Sequence, residues 1–204
     1  VKCSTIYSGD RPKTAIGSIK RIEEQTDGKQ MSISSYRYSG DRTVLSYEEM
    51  NGYCNRAIKL NPNCKLTLVL MQVNDMEGYM KNEGSGFVQD LLQSVQDTVR
   101  RHVGHRGIVC PLQSNLMSMV VQDINSDIKL RAFIESLRSR IAWNYRLIDP
   151  KYEISFSFGV ACYPENGMDM RIVHRKLVKA LQMAQEKHAN CYVIYKEHLH
   201  GELS

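Results

Sequence analysis

Long apolar runs are missing from this sequence, and none approaches the roughly 18 consecutive residues that a membrane-spanning helix needs. Strong charge imbalance is missing too, because a net charge of +5 with 24% charged residues is only mildly basic. Such a chain suits an anionic partner but lacks the dense basic stripe of a nucleic-acid-binding domain. Its composition does not indicate disorder. The length allows one domain with an appendage, and a start at Val1 rather than Met leads us to expect a fragment of a longer protein.

Paired metal-ligand and redox motifs are also absent. The cysteines are Cys3, Cys54, Cys64, Cys110, Cys162 and Cys191, and no two of them form a Cys-x-x-Cys pair. We predict that they are reduced thiols in the core of a cytoplasmic protein rather than disulfides. His102 and His105 have the spacing of one helix face, but Gly104 breaks the helix between them. We therefore expect neither a metal site nor a bound cofactor.

The first 44 residues are rich in turn-forming residues and lack a helical pattern. Residues 2–7 and 14–22 read as two extended segments joined by a Ser-Gly-Asp-Arg-Pro turn. This hairpin resembles the closing hairpin of a PAS sensor domain over about 25 residues. We predict that residues 1–25 are either the C-terminal end of a PAS domain or an unrelated hairpin. Residues 26–44 are predicted to be a linker.

From residue 45 onward, apolar periodicity predicts alternating helices and strands. Ser46 and Glu49 have the spacing of a capping box, which marks the start of the first helix. The elements that follow are a strand at 66–74, a helix at 87–103, strands at 108–112 and 116–122, a helix at 127–145, a strand at 152–163, a helix at 170–188 and a strand at 191–195. This order predicts an α/β sandwich with a mixed five-stranded sheet flanked by helices.

The predicted central strand begins with the apolar run from Leu66 to Met71. Such a run is too short for an independent helix and suits a strand that is covered on both faces. Polarity changes abruptly at its end, at Gln72 and Asn74. The end of a central strand is where α/β folds usually place their chemistry. Alternatively, the strand simply emerges into water there.

Three segments of residues 45–204 resemble the GGDEF family, the diguanylate cyclase domain. Residues 50–56, MNGYCNR, are similar to the entry motif L-T-G-L-x-N-R, and residues 157–167, SFGVACYPENG, are similar to S-I-G-I-A-x-Y-P-x-x-G. Residues 180–192 follow the last helix and strand of the family. The resemblance covers about three quarters of the chain. It implies the family's fold and an activity that joins two GTP molecules, one per subunit, into cyclic di-GMP with Mg²⁺ held by acidic side chains.

The residues at the family's active-site positions differ from the family pattern. The positions are Gln72 and Asn74 in place of two aspartates at the strand end, Met80 and Gln89 at the guanine contacts, Ser114 and Asn115 in the signature turn, and Gln185 and Ala189 at the phosphate contacts. Neutral groups remove the charge that Mg²⁺ and phosphate require. The family's inhibitory product site falls at Val103 and Arg106, which cannot form it. The resemblance therefore implies an altered pocket without catalytic residues.

Three functional hypotheses follow. The first is a catalytically silent module of a bacterial signalling protein, which acts as a homodimer, through another signalling domain, or by binding an unidentified small molecule. The second is a diverged cyclase or nucleotide-processing enzyme that uses GTP and Mg²⁺ through Asp75, Glu77 and Glu83. The third is nucleic-acid binding through the basic residues of 100–106. Cations are favoured at a helix C-terminus in any case, so we expect no nucleic-acid partner.

Overall fold

The structure is a computed structural model that describes residues 46–113, 115–122, 124, 126–146, 154–187 and 190–201, without the side chains of Tyr145 and Arg146. The hairpin and the linker predicted for residues 1–44 lie outside the described residues. The elements are α1 (Tyr47–Leu60), β1 (Leu66–Val73), α2 (Met76–Val103), a 3₁₀ turn (Gly104–Arg106), β2 (Gly107–Gln113), β3 (Leu116–Val121), α3 (Asp127–Arg146), β4 (Phe156–Tyr163), α4 (Met170–Glu186), β5 (Cys191–Ile194) and α5 (Glu197–His200).

The five strands form one mixed sheet in the order β2-β3-β1-β4-β5. Neighbouring strands are antiparallel, except that β4 and β5 are parallel. The predicted α/β fold with a central β1 is therefore confirmed. Both faces of β1 are covered, since Leu68 is 1% exposed and Val69 is fully buried.

Side chains of β1 alternate between two apolar cores, one on each face of the sheet. Leu66, Leu68 and Leu70 pack in the core that α1 and α4 cover. Val69, Met71 and Val73 pack in the core that α2 and α3 cover. This two-sided burial explains why the strand is apolar at nearly every position.

The predicted start of α1 is confirmed by its capping box. Oγ of Ser46 accepts a hydrogen bond from the backbone N–H of Glu49 at 3.3 Å, and Oε2 of Glu49 accepts one from the N–H of Ser46 at 2.8 Å. These two bonds satisfy backbone donors that a helix start otherwise leaves unpaired.

The prediction for α2 missed the helical segment that precedes Gly84. The helix begins at Met76, not at residue 87, and bends at Gly84, where φ is +85°. A positive φ costs glycine nothing, so the Gly-Ser-Gly sequence forms a bend rather than a loop. Tyr79 is buried before the bend and its ring lies 6.1 Å from that of Phe87 beyond it. Gly84 itself is not helical, since its ψ is 176°, and α2 therefore consists of two helical segments that meet at this residue.

Smaller differences concern the ends of two other elements. The strand predicted from residue 152 begins at Phe156, and the fourth helix ends at Glu186 instead of residue 188. The short helix α5 was not predicted. None of the helices in the described part of the chain combines the length and the apolarity that crossing a membrane requires.

The cysteines among the described residues are free, as predicted; Cys3 lies outside them. Burial raises the pKa of Cys54 to about 12 and also raises the pKa of Cys64, Cys110 and Cys162. Thiols with a raised pKa are rarely ionised and therefore react slowly. These side chains serve as small apolar groups of the core.

Candidate functional site

Four of the residues that the sequence singled out meet at the C-terminal end of β1. They are Gln72, Asn74, Asn115 and Gln185. In the sheet, Gln72 lies opposite Leu116 of β3 and Ser157 of β4. The turn after β2 and the end of α4 reach the same edge, because both neighbouring strands run antiparallel to β1. The sheet register thus gathers residues that are far apart in sequence.

A hydrogen bond between two amide side chains lies at the centre of this site. Nε2 of Gln185 donates to Oε1 of Gln72 at 2.5 Å. The glutamine of α4 is exposed, whereas the one of β1 is half-buried. The bond joins two neutral groups, so this contact carries no net charge.

Gly159 of β4 allows α4 to lie this close to the sheet. A Cβ atom at residue 159 would stand 2.4 Å from the backbone N of Leu181 and 2.6 Å from the backbone O of Leu177. No side chain fits in that gap. Gly159 therefore determines how closely α4 packs on the sheet. This distance in turn places Gln185 next to the end of β1.

The side chain of Asn115 has a structural partner. Its Nδ2 donates to the carbonyl oxygen of Val73 at 3.1 Å, and the N–H of Val73 donates to the carbonyl of Asn115 at 2.9 Å. The two bonds fasten the β2–β3 turn to the end of β1. A carboxylate cannot make the first bond because it has no N–H to donate.

Asn74 joins the end of β1 to β4. Its N–H donates to the carbonyl of Ser155 at 3.0 Å, and its Oδ1 accepts from Oγ of Ser157 at 3.2 Å. Sequence reasoning did not single out Ser157 as a site residue, although it opens the S-F-G-V-A segment. Only the register between β1 and β4 could have placed it here.

Two of the other four positions lie apart from this cluster. Met80 and Gln89 lie on α2 on opposite sides of its bend, and both are exposed. Within the described residues, no hydrogen bond links either of them to the strand end. Ser114 and Ala189 lie outside the described residues, so their assignment to the site stays a prediction.

The acidic residues of the enzyme hypothesis lie along the first half of α2. Asp75 precedes the helix with φ of +54°, and its carboxylate lies against Gly78, where a Cβ would stand 2.5 Å from Oδ1. Glu77 and Glu83 are exposed. Among the described residues, no three His, Cys, Asp or Glu side chains are grouped so that they could hold a metal ion.

The donor set at the strand end does not match Mg²⁺. This cation prefers charged carboxylate oxygens in octahedral geometry. Gln72, Asn74 and Asn115 offer neutral amide oxygens, and the Oδ1 atom of Asn74 already accepts a hydrogen bond from Ser157. The residues present therefore do not fit the metal that the family resemblance implies.

The basic cluster at the end of α2 makes its contacts within the protein. Arg100 pairs with Asp97 at 3.3 Å. Nε2 of His102 lies 3.2 Å from the carbonyl oxygen of Phe133, and burial lowers the pKa of this histidine. Arg106 donates to the carbonyl of His102 at 3.0 Å and lies over the Phe133 ring at 5.8 Å. His102 and Arg106 thus contact Phe133 of α3, whereas the Arg100 pair lies within α2.

Comparison with solved structures shows the same fold in several bacterial proteins. The active GGEEF domain of a diguanylate cyclase from Vibrio cholerae matches with a TM-score of 0.65 and 14% identity, over 76% of this chain and 99% of that one. A diguanylate cyclase/phosphodiesterase from Caldicellulosiruptor saccharolyticus matches with a TM-score of 0.63 and 18% identity, over 78% and 93%. The GGDEF domain of DgcB from Caulobacter crescentus, in complex with c-di-GMP, matches with a TM-score of 0.62 and 13% identity, over 84% and 98%.

Comparison of sequences points the same way. The chain is 18% identical over 142 residues to the uncharacterized protein sll1895 of Synechocystis; the match covers 70% of this chain and spans 20% of the length of that protein. The family model described as diguanylate cyclase, GGDEF domain, matches residues 47–191. Because that match covers more than half of the sequence, the chain belongs to the GGDEF family.

Proposed function

We propose that this GGDEF domain is a regulatory module of a bacterial signalling protein and makes no cyclic di-GMP. The hydrogen bond from Gln185 to Gln72 is the observation that carries this proposal. Resemblance to the family assigns a metal-binding aspartate to the first position and a phosphate-binding cation to the second. Here the two side chains are neutral and are partners of each other.

The energetic argument is that the losses affect separate parts of the reaction. Phosphoryl transfer depends on metal ions that neutralise the developing negative charge. Charge-assisted hydrogen bonds to phosphate contribute about 1.5–3 kcal/mol each, and neutral amides recover only part of that. Met80 and Gln89, the positions assigned to guanine recognition, are exposed and differ from the family residues. One compensating residue cannot replace metal, phosphate and base contacts together.

We infer that the domain acts through association or through a ligand in the altered pocket. A homodimer or a complex with another signalling domain would use the intact scaffold, whose two cores are fully formed. One solved structure of the Caulobacter protein contains a coiled coil together with the GGDEF domain. A preceding PAS domain and a cytoplasmic location belong to this proposal. The reduced cysteines support the location.

The test is a direct assay for the reaction. Purified protein at high concentration is incubated with GTP and Mg²⁺ or Mn²⁺, and nucleotides are separated by chromatography. An active diguanylate cyclase in the same buffer serves as the positive control. We expect no cyclic di-GMP above the level of a no-protein sample.

The competing hypothesis predicts a different result. In a diverged enzyme, Asp75, at the end of β1, would act as the metal ligand in place of Gln72. Product that disappears in Asp75→Ala but persists in Asp90→Ala, an exposed acid further along α2, would overturn the proposal. Product that persists in both variants would equally show that the domain is an enzyme, with its ligands elsewhere.

A further inference from the structure

The chain continues beyond the family match into a short segment that folds back on α4. Residues 196–201 contain α5, and we call them the α5 clasp. Three backbone hydrogen bonds close it, from the N–H of Leu199 and of His200 to the carbonyl of Lys196, and from the N–H of Gly201 to the carbonyl of Glu197. So short a helix is not stable by itself. Its contacts with the domain must hold it.

The first contact is an ion pair with a buried lysine. Lys176 of α4 is 6% exposed, and its Nζ lies 3.1 Å from both carboxylate oxygens of Glu197. The same Nζ lies 5.3 Å from the centre of the Tyr195 ring. A buried ammonium group is costly without an anionic partner. The α5 clasp supplies that partner.

A further hydrogen bond, within the clasp itself, depends on a histidine. Nδ1 of His200 accepts a hydrogen bond from the N–H of Lys196 at 2.9 Å, and its ring lies 5.5 Å from the ring of Tyr195. An imidazole can accept at Nδ1 only when that nitrogen carries no proton. Protonation would place an N–H group against another N–H group. The side-chain bond that joins the end of the clasp to its first residue would then be lost.

The charges around His200 disfavour its protonation. Lys179 and Lys187 approach from α4, and His198 lies on α5. The anion of α5, Glu197, is already paired with Lys176, and Lys196 is paired with Asp127 of α3 at 3.0 Å. Burial lowers the pKa of His200, and Lys187, Lys179 and His198 lower it further.

We propose that the α5 clasp is a pH-sensitive switch that is closed while His200 is neutral and opens when His200 is protonated. Opening withdraws Glu197 from Lys176 and frees the chain that leaves β5. The switch lies outside the residues assigned to the altered pocket, so it does not depend on the proposed function. Because the folded form disfavours the proton, the clasp is closed above the ordinary histidine pKa of about 6.5 and opens as the pH falls below it.

The experiment is amide hydrogen exchange of the full chain by NMR at pH 7.5 and 5.5, corrected for the intrinsic pH dependence of exchange. We expect protection of Leu199, His200 and Gly201 to fall about fivefold to tenfold at the lower pH, the effect of losing one hydrogen bond. Amides of Leu68 and Val69 in β1 should keep their protection and report that the domain is still folded. The ring of His200 should titrate with the same midpoint as the loss of protection.

Two substitutions separate this switch from a general effect of acid. His200→Asn keeps an acceptor at Oδ1 that does not titrate, so we expect protection to be equal at both pH values. His198→Asn removes an exposed titrating ring that disfavours protonation of His200, so we expect the acid response to persist with its midpoint moved to slightly higher pH. Equal protection of the wild type at both pH values would overturn the proposal. So would a His200 titration midpoint separate from the loss of protection, or an acid response that persists in His200→Asn.

Discussion

Nε2 of Gln185 donates to Oε1 of Gln72 across 2.5 Å, and this bond connects the last turn of α4 to the end of the central strand. The resemblance to the family implies an aspartate and a cation at these positions. The two glutamines connect the strand and the helix without a charge.

Restoring carboxylates at two positions should not restore catalysis. For Gln72→Asp combined with Asn115→Glu the proposed function predicts no cyclic di-GMP in the chromatographic assay, because on that proposal the base and phosphate contacts would still be missing. We expect at most weak binding of Mn²⁺, measured by titration calorimetry. Product formation by this double variant would contradict the argument that the losses are independent.

Asn115→Asp should destabilise the domain. The carbonyl of Val73 would lose its donor and face a carboxylate, which is expected to cost about 1–3 kcal/mol in the free energy of unfolding. Urea unfolding measures this difference. Gln113→Glu, the same change of amide to acid at the exposed last residue of β2, is the matched control and should stay within about 0.5 kcal/mol of the wild type. Equal effects of the two substitutions would show that the bond to Val73 contributes little.

Gly159→Ala should reduce stability by about 1–3 kcal/mol or more, because the new methyl group would meet the backbone of α4. Gly52→Ala is the matched control. A Cβ at residue 52 meets nothing within 4 Å, and alanine favours a helix interior, so this substitution should add up to about 1 kcal/mol. Thermal unfolding distinguishes the two directions. A neutral Gly159→Ala would mean that α4 can move away from the sheet without cost.

Removal of the hydroxyl should have different effects on the free energy of unfolding at two fully buried serines, Ser118 and Ser157. Oγ of Ser118 has no hydrogen-bond partner among the described residues, whereas Oγ of Ser157 donates to Asn74. Ser118→Ala should leave stability unchanged or increase it, since an unpaired buried hydroxyl is unfavourable. Ser157→Ala should lower the free energy of unfolding by about 1 kcal/mol. A destabilising Ser118→Ala would reveal a partner that this hydroxyl finds in solution.

Acidification below about pH 6.5 should weaken the folded state. Burial lowers the pKa of His102 and of His174, so between the folded and the unfolded pKa the unfolded chain binds more protons. Stability that these histidines support is present above about pH 6.5 and is lost as the pH falls below it.

Urea unfolding at pH 7.5 and 5.5 measures this loss. In His102→Gln, whose amide can still donate to Phe133, the loss should shrink. His105 lies at an exposed position of the 3₁₀ turn. In His105→Gln, the loss of stability between pH 7.5 and 5.5 should therefore equal the loss in the wild type. A domain that is as stable at pH 5.5 as at pH 7.5 would refute the assignment of buried neutral histidines.

The sequence by itself determined the order of the elements and which of them lies at the centre. Apolar stripes identify the helices, and the run from Leu66 to Met71 identifies the strand that is covered on both faces, because hydrophobic burial leaves a periodic trace in the residues themselves. The capping box at Ser46 is equally local. Glycine is ambiguous: the sequence predicted a helix from residue 87 and did not reveal that a further helical segment of α2 precedes Gly84.

Only the tertiary structure decided what the site residues do. The bond between Gln72 and Gln185 spans 113 positions of the chain, and the bond from Asn115 to Val73 depends on the register of two strands. In the sequence, Lys176 does not differ from the other lysines of α4. Only in the folded chain does α5 pack over it and place Glu197 against its Nζ atom. These pairings depend on the sheet register and on how closely a helix packs at Gly159. No periodic pattern records them, because they arise from residues that become neighbours only when the chain has folded.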